Sequence, residues 1–182
     1  MNKVDLSAYN NDHFRPGSIW KRAIWLVLSA VIFESSIFPF TGLKAGLLRA
    51  FGAKIGRGVV VKIKVSIKYP WFLEIGDHSW IGEGVWIDNL TLVSIGKNVC
   101  LSQGAMLLTG NHDYSSATFD LREAPITIEE GAWIGAKAIV CPGITVKSHA
   151  VLAVGSVATT HLDAYTVYAG NPAVAKRQRT IG

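Results

Sequence analysis

From Ile55 to Leu152 an aliphatic residue recurs every six positions. The series runs Ile55, Val61, Ile67, then Ile75, Ile81, Ile87, then Ile95, Leu101, Leu107, then Ile128, Ile134, Val140, Val146 and Leu152. Ile, Leu and Val fill only 49 of the 182 positions, so fourteen hits in one frame are not accidental. A period of six fits neither the 3.6-residue repeat of a helix nor the simple alternation of a strand. It predicts a mainly β chain folded as a parallel β-helix, with short strands stacked coil upon coil. Three flat sides of six residues close one triangular coil. The residue four places after each aliphatic is mostly small or Val, as at Val59, Ala105, Ala132 and Ser156, because only a short side chain fits where the chain turns.

The period breaks at three points. The steps from Ile67 to Ile75 and from Ile87 to Ile95 are eight residues, and the step from Leu107 to Ile128 is 21. The first two predict a widened corner at the same point of successive coils. The third predicts a loop over residues 109–125, thrown out from the prism. The expected organisation is a polar arm and apolar helices over 1–52, the β-helix over 53–160, and a tail over 161–182 that leaves the coil.

Residues 1–17 read as polar and irregular. Ser18 is placed to cap a helix starting at Ile19. From Ala23 to Phe33 only Ser29 is polar, and those eleven residues are too few to span a bilayer. Two readings stay open: a helix packed on the prism or between subunits, or an interfacial membrane anchor over residues 19–40 with Trp20, Lys21, Arg22 and Trp25 near the headgroups. A second short helix is expected at about 43–51.

Composition narrows this picture. A chain with 17% charged and 49% hydrophobic residues is not disordered. The net charge of +5 suits an anionic cofactor, nucleic acid or membrane surface without choosing among them. Cys100 and Cys141 lack CxxC spacing and read as reduced, near-core residues. No signal-peptide layout precedes the first apolar stretch. The expected compartment is the cytoplasm, at the inner face of the membrane if the helix is an anchor.

Candidate chemistry lies where the period breaks, since loops leaving a rigid scaffold commonly carry reactive groups. His112 stands among polar neighbours in the loop, and a neutral imidazole can take a proton from a hydroxyl near pH 7. An ordinary loop histidine is the competing reading.

Gly110-Asn111-His112-Asp113, Gly131-Ala132-Trp133-Ile134-Gly135-Ala136, Pro142-Gly143-Ile144-Thr145-Val146, Gly155-Ser156-Val157 and Ala169-Gly170-Asn171-Pro172-Ala173 occur in this order. Together they resemble the hexapeptide-repeat acyltransferases with a left-handed β-helix, over residues 55–176. Arg15-Pro16-Gly17-Ser18 and the following apolar helix are most similar to the colanic acid biosynthesis acetyltransferases within that superfamily. The resemblance implies acetyl transfer from acetyl-CoA to a sugar hydroxyl, with no metal required. It implies a homotrimer with active sites between prisms, which would also cover outward tryptophans such as Trp80, Trp86 and Trp133. His112 matches the family's catalytic histidine. Asp88, Asn89, Asp113 and Tyr114 are the acceptor-side candidates, and Asp88 or Asn89 is the favoured acceptor contact. Trp133 matches a tryptophan packing along the pantetheine arm, with Gly135, Ala136, Ala153 and Gly155 letting that arm lie close. Asn171 and Pro172 match an element near the adenine, and Lys176 and Arg177 are candidates for the phosphates. The acceptor is expected to be a sugar or a lipid-linked oligosaccharide of exopolysaccharide biosynthesis.

The competing classes are a zinc enzyme, a non-catalytic scaffold and an N-acetyltransferase acting on an amino sugar. His78 and His149 fall in coil turns, so a converging three-histidine set looks absent. A scaffold has no need to keep His112 or the Trp133 surface. No nucleic-acid-binding motif is present.

Overall fold

Each predicted hexapeptide becomes one short strand and one turn. In a computed structural model that describes residues 3–182, the strands stack into a parallel β-solenoid of about six turns. Met1 and Asn2 of the expected arm lie outside the described residues. The first side stacks Lys54–Ile55, Leu73–Ile75, Val93–Ile95, Ile126–Ile128 and Thr145–Val146. The second begins with Val60–Val61, Trp80–Ile81, Cys100–Leu101, Trp133–Ile134 and Val151–Leu152. The third stacks Ser66–Ile67, Trp86–Asp88, Met106–Leu108, Ile139–Val140 and Val157–Ala158.

The six-residue frame is the register of these stacks. Ile75 pairs with Ile95, Ile81 with Leu101, and Ile87 with Leu107. All six are at most 2% exposed, so the aliphatic column fills the triangular bore. Burying each such side chain favours folding by roughly 1.5–3 kcal/mol. Gly135 follows one of them because the next coil lies too close for a side chain: a Cβ there would meet the Val154 nitrogen at 2.6 Å.

All three breaks in the period fall at one corner, where the third side passes to the first. Pro70–Phe72 forms a short 3₁₀ turn in the first break. Asn89 occupies the second, and the Gly110–His112 and Leu121–Glu123 strands pair antiparallel in the third. The expected extruded loop is a β-hairpin, whose strands satisfy each other's backbone groups.

The expectation for residues 161–182 is corrected. Leu162 bridges Val146, and Thr166–Gly170 pairs parallel with Val151–Leu152 on the second side. Ala173–Gln178 then folds back antiparallel on it. Leu162 and Tyr168 still fill the bore, at 0% and 8% exposure, and the added strands cover backbone groups that an open edge would leave unpaired.

Helix α1 (Ile19–Leu28) starts as expected, with the Ser18 hydroxyl accepting from the Lys21 N–H. A π-helical turn, Ser29–Phe33, continues it. Its buried stripe is Trp25, Ser29 and Phe33, at a spacing of four, and the Trp25 indole N–H donates to the Ile67 carbonyl at 2.8 Å. Helix α2 (Thr41–Ala50) packs on the first coil through Lys44, Ala45 and Leu48. Among the described residues, no helix is long and apolar enough to cross a membrane. Cys100 and Cys141 are free and half-buried, and burial pushes the Cys141 thiol pKa up.

Candidate active site

The hairpin carries His112 on its first strand, opposite Leu121. Gly110 opens it because a Cβ there would strike the Leu90 side chain at 2.5 Å. Below it, the buried Thr109 hydroxyl accepts from the Leu90 N–H at 2.8 Å and donates to the Asp88 carbonyl at 2.9 Å. Side-chain bonds close its far end. Asp113 accepts from Ser115 and Arg122, while Asp120 accepts from Thr118 and Ser116. Hydrogen bonds from Ser115 hold the Asp113 carboxyl below the usual carboxylate range, and those from Thr118 and Ser116 do the same for Asp120.

The His112 ring is stacked on Phe119, with centroids 4.3 Å apart and planes 9° from parallel. Its Nδ1 lies 2.9 Å from the Phe119 carbonyl oxygen. A carbonyl only accepts, so Nδ1 carries a proton, and in the neutral ring Nε2 keeps its lone pair. Among the described residues Nε2 makes no hydrogen bond. The ring lines an open cavity of about 650 Å³ together with His13, Asn111, Asp113, Tyr114 and Arg122.

The polar arm reaches this cavity, which its sequence did not foretell. The Asp5 N–H donates to the Ala117 carbonyl at 2.8 Å, and the Tyr9 ring lies 5.8 Å from His112. Of the acceptor-side candidates, Tyr114 lines the cavity and is 85% exposed. Asp113 lines it too, but its carboxylate is engaged within the hairpin. Asp88 lies off this cavity, paired with Lys68 at 2.9 Å.

Asn89 is corrected. It is fully buried, accepting from the Tyr69 N–H at 3.0 Å and donating to the Tyr69 and Phe72 carbonyls. The widened corner leaves backbone groups without their regular partners, and this amide replaces them. An acceptor cannot reach it.

The candidate cofactor surface lies on the second side. Trp133 is 46% exposed, its indole N–H donating to the Ser102 hydroxyl at 2.8 Å. With Gly135, Ala136, Ala153, Val154 and Arg177 it lines a cavity of about 590 Å³. A fixed aromatic plane, a shallow floor of small residues and a cation suit a thin pantetheine arm that ends in phosphates. Gly155, Asn171, Pro172 and Lys176 do not line this cavity. Asn171 and Pro172 form the exposed turn of the last hairpin, joined by a cis peptide. The sequence reading missed Arg179, which lines the cavity and ties the C-terminal segment to the Gly131 and His149 carbonyls.

His78 and His149 are indeed turn residues, with φ of 59° and 58°. His149 stacks on Tyr165, and among the described residues no group of three or more metal-ligating side chains converges.

The two surfaces belong to different flanks of one prism. The hairpin leaves the corner between the third and first sides, and Trp133 lies on the second side, opposite that corner.

No family model matches the chain. It is 39% identical over 176 residues to the protein named "Putative colanic acid biosynthesis acetyltransferase WcaF" of Escherichia coli, covering 96% of this chain and 97% of the relative. It is 27% identical over 132 residues to a galactoside O-acetyltransferase of the same organism, covering 71% of this chain and 65% of that one. Among solved structures, a hexapeptide-repeat acetyltransferase of Vibrio cholerae complexed with acetyl-CoA superposes with a TM-score of 0.82 at 22% identity, covering 96% and 97% of the two chains. A galactoside acetyltransferase in complex with coenzyme A gives 0.79 at 24% identity, covering 88% and 82%. The chain thus belongs to the hexapeptide-repeat, left-handed β-helix acetyltransferases.

Proposed function

We propose that this enzyme moves an acetyl group from acetyl-CoA to a sugar hydroxyl, directly and with His112 as the general base. The observation that carries this reading is the bond between His112 Nδ1 and the Phe119 carbonyl, which leaves Nε2 as the basic nitrogen of a residue that lines an open cavity. Nε2 takes the proton of the acceptor hydroxyl as its oxygen attacks the thioester carbonyl. The tetrahedral adduct collapses, the carbon–sulfur bond breaks, and the imidazolium returns its proton to the departing thiolate. No residue is acetylated.

Trp133, Gly135, Ala136, Ala153 and Arg177 hold the coenzyme in this reading. Because they lie opposite the hairpin, the complete site forms between two chains, His112 coming from one and Trp133 from its neighbour. Side-by-side packing in a trimer provides this, and it covers Trp80 and Trp86, which are 58% and 42% exposed. Similarity over 96% of the chain supports an acceptor in exopolysaccharide biosynthesis of the colanic acid type, as a sugar or a lipid-linked oligosaccharide. The cytoplasm, where acetyl-CoA is available, is the proposed compartment.

The test is thiol release from acetyl-CoA against sugars, nucleotide sugars and lipid-linked oligosaccharides, with products identified by mass and base lability. A base-labile ester on a sugar, lost in His112→Ala, is expected. A stable amide would replace the acceptor reading with amino-sugar N-acetylation, and near-parental rates in His112→Ala would remove the general base.

A further inference from the structure

Helix α1 is turned inside out for a water-facing helix. Over residues 19–31 every exposed residue is apolar, with Trp20, Ile24, Leu26, Val27 and Val31 between 54% and 77% exposed. The three polar residues of that segment face the protein. Lys21 places its ammonium 4.4 Å from the centroid of the Trp71 ring, Arg22 is half-buried, and Ser29 donates to Glu34. The apolar surface continues through Ile37 and Phe40, 83% and 63% exposed. A surface helix normally points its apolar stripe inward. Here Trp25 and Phe33 satisfy the prism, and a second, larger apolar face is left over.

Charge indicates what covers it. Residues 13–73 hold ten lysines and arginines and a single acid, Glu34, which bonds to Ser29 and Ser66. The rest of the chain holds eight basic and twelve acidic residues. The basic segment comprises α1, α2 and the first coil, at one end of the solenoid. Four of its cations, Lys54, Arg57, Lys64 and Lys68, pair with carboxylates of the second coil. Arg15, Lys21, Arg22 and Lys62 meet no carboxylate among the described residues. Arg15 and Arg22 line one notch of about 590 Å³ at the start of α1, together with a single acid, Asp12, and among the described residues the buried Arg22 Nε has no hydrogen-bond partner. A two-fold pairing of this face with itself would set cation against cation.

We propose that this end of the solenoid docks on an anionic lipid bilayer, with α1 lying in the interfacial plane. The outward aliphatics enter the acyl boundary, Trp20 sits at headgroup level, and Arg15 and Arg22 meet lipid phosphates. Electrostatic attraction and apolar insertion then act together, since an apolar face of this size alone gives weak membrane binding.

The test is co-sedimentation of the full chain with vesicles of phosphatidylcholine alone, and of phosphatidylcholine with an equal part of phosphatidylglycerol. Binding to the anionic vesicles is expected to be roughly tenfold tighter or more, and to weaken with added salt. A double variant, Ile24→Glu with Val27→Glu, is expected to stay in the supernatant while keeping the parent's melting temperature and thiol-release rate. Failure of the parent to bind anionic vesicles overturns the proposal, and so does unchanged binding by the variant. A smaller oligomer in light scattering of the variant also overturns it, by showing that a second copy covers the face. The vesicle-binding and light-scattering readouts do not depend on which acceptor the enzyme uses.

Discussion

The Phe119 carbonyl oxygen lies 2.9 Å from His112 Nδ1 while the Phe119 ring stacks on the same imidazole. One residue therefore sets both the tautomer and the tilt of the proposed base. His112→Ala is expected to fold normally and lose about 10²–10⁴-fold in kcat/KM. Phe119→Ala keeps the carbonyl and loses the stack, so kcat should fall about two- to tenfold with KM for acetyl-CoA unchanged. Steady-state kinetics with both variants checks this, and a Phe119→Ala enzyme of parental kcat would deny the ring its positioning role.

The hairpin should stay closed in mild acid. Hydrogen bonds lower the Asp113 and Asp120 pKa values in the folded chain. Carboxylates shifted this way favour the fold fully above their unfolded value of about 3.9 and stop doing so as pH falls through the lower folded value. Hydrogen-exchange protection at the hairpin amides is thus expected to hold from about pH 8 to about pH 5 once intrinsic exchange is corrected for. Opening within that range would mean that the side-chain clamp does not control the hairpin.

Arg177 and Lys176 are neighbours in sequence with different surroundings, because only Arg177 lines the Trp133 cavity. Trp133→Ala and Arg177→Ala should each raise KM for acetyl-CoA by about tenfold, consistent with losing a stacked or charge-assisted contact, and Lys176→Ala should change it less than twofold. Equal effects at 176 and 177 would point to a diffuse electrostatic contribution instead.

Asn89 should behave as a structural residue. Its amide makes three hydrogen bonds in a fully buried corner. Asn89→Ala is expected to lower stability by about 2–4 kcal/mol in urea unfolding, through orphaned backbone groups. Acceptor KM should be unchanged. A raised KM at parental stability would restore Asn89 to the acceptor site.

Sites shared between chains can be reassembled from impaired ones. At acetyl-CoA well below KM, mixing His112→Ala and Trp133→Ala chains after partial unfolding should recover activity above either variant alone, because some interfaces then pair an intact His112 with an intact Trp133. No recovery, with mixed oligomers confirmed by mass, would place both residues of a working site on one chain.

The solenoid was legible in the chain because a six-residue period is a local property: each aliphatic projects into the bore whatever its neighbours are. Ile55 to Leu152 kept that frame throughout, and the three breaks marked the corner that carries the hairpin. His112 could be singled out there as a candidate, and Trp133 with its small neighbours through the family resemblance. Long-range approach could not be read in the same way. The Phe119 carbonyl reaches His112 only through the hairpin turn, and a main-chain oxygen has no residue type to betray it. The arm carries no period, so nothing local announced that Tyr9 and His13 would lie over the site. Asn89 read as an acceptor contact, but the wide corner closes around it. The composition of α1 was plain, but which of its faces would meet the prism depended on where Trp25 and Phe33 docked, and that is a decision of tertiary packing.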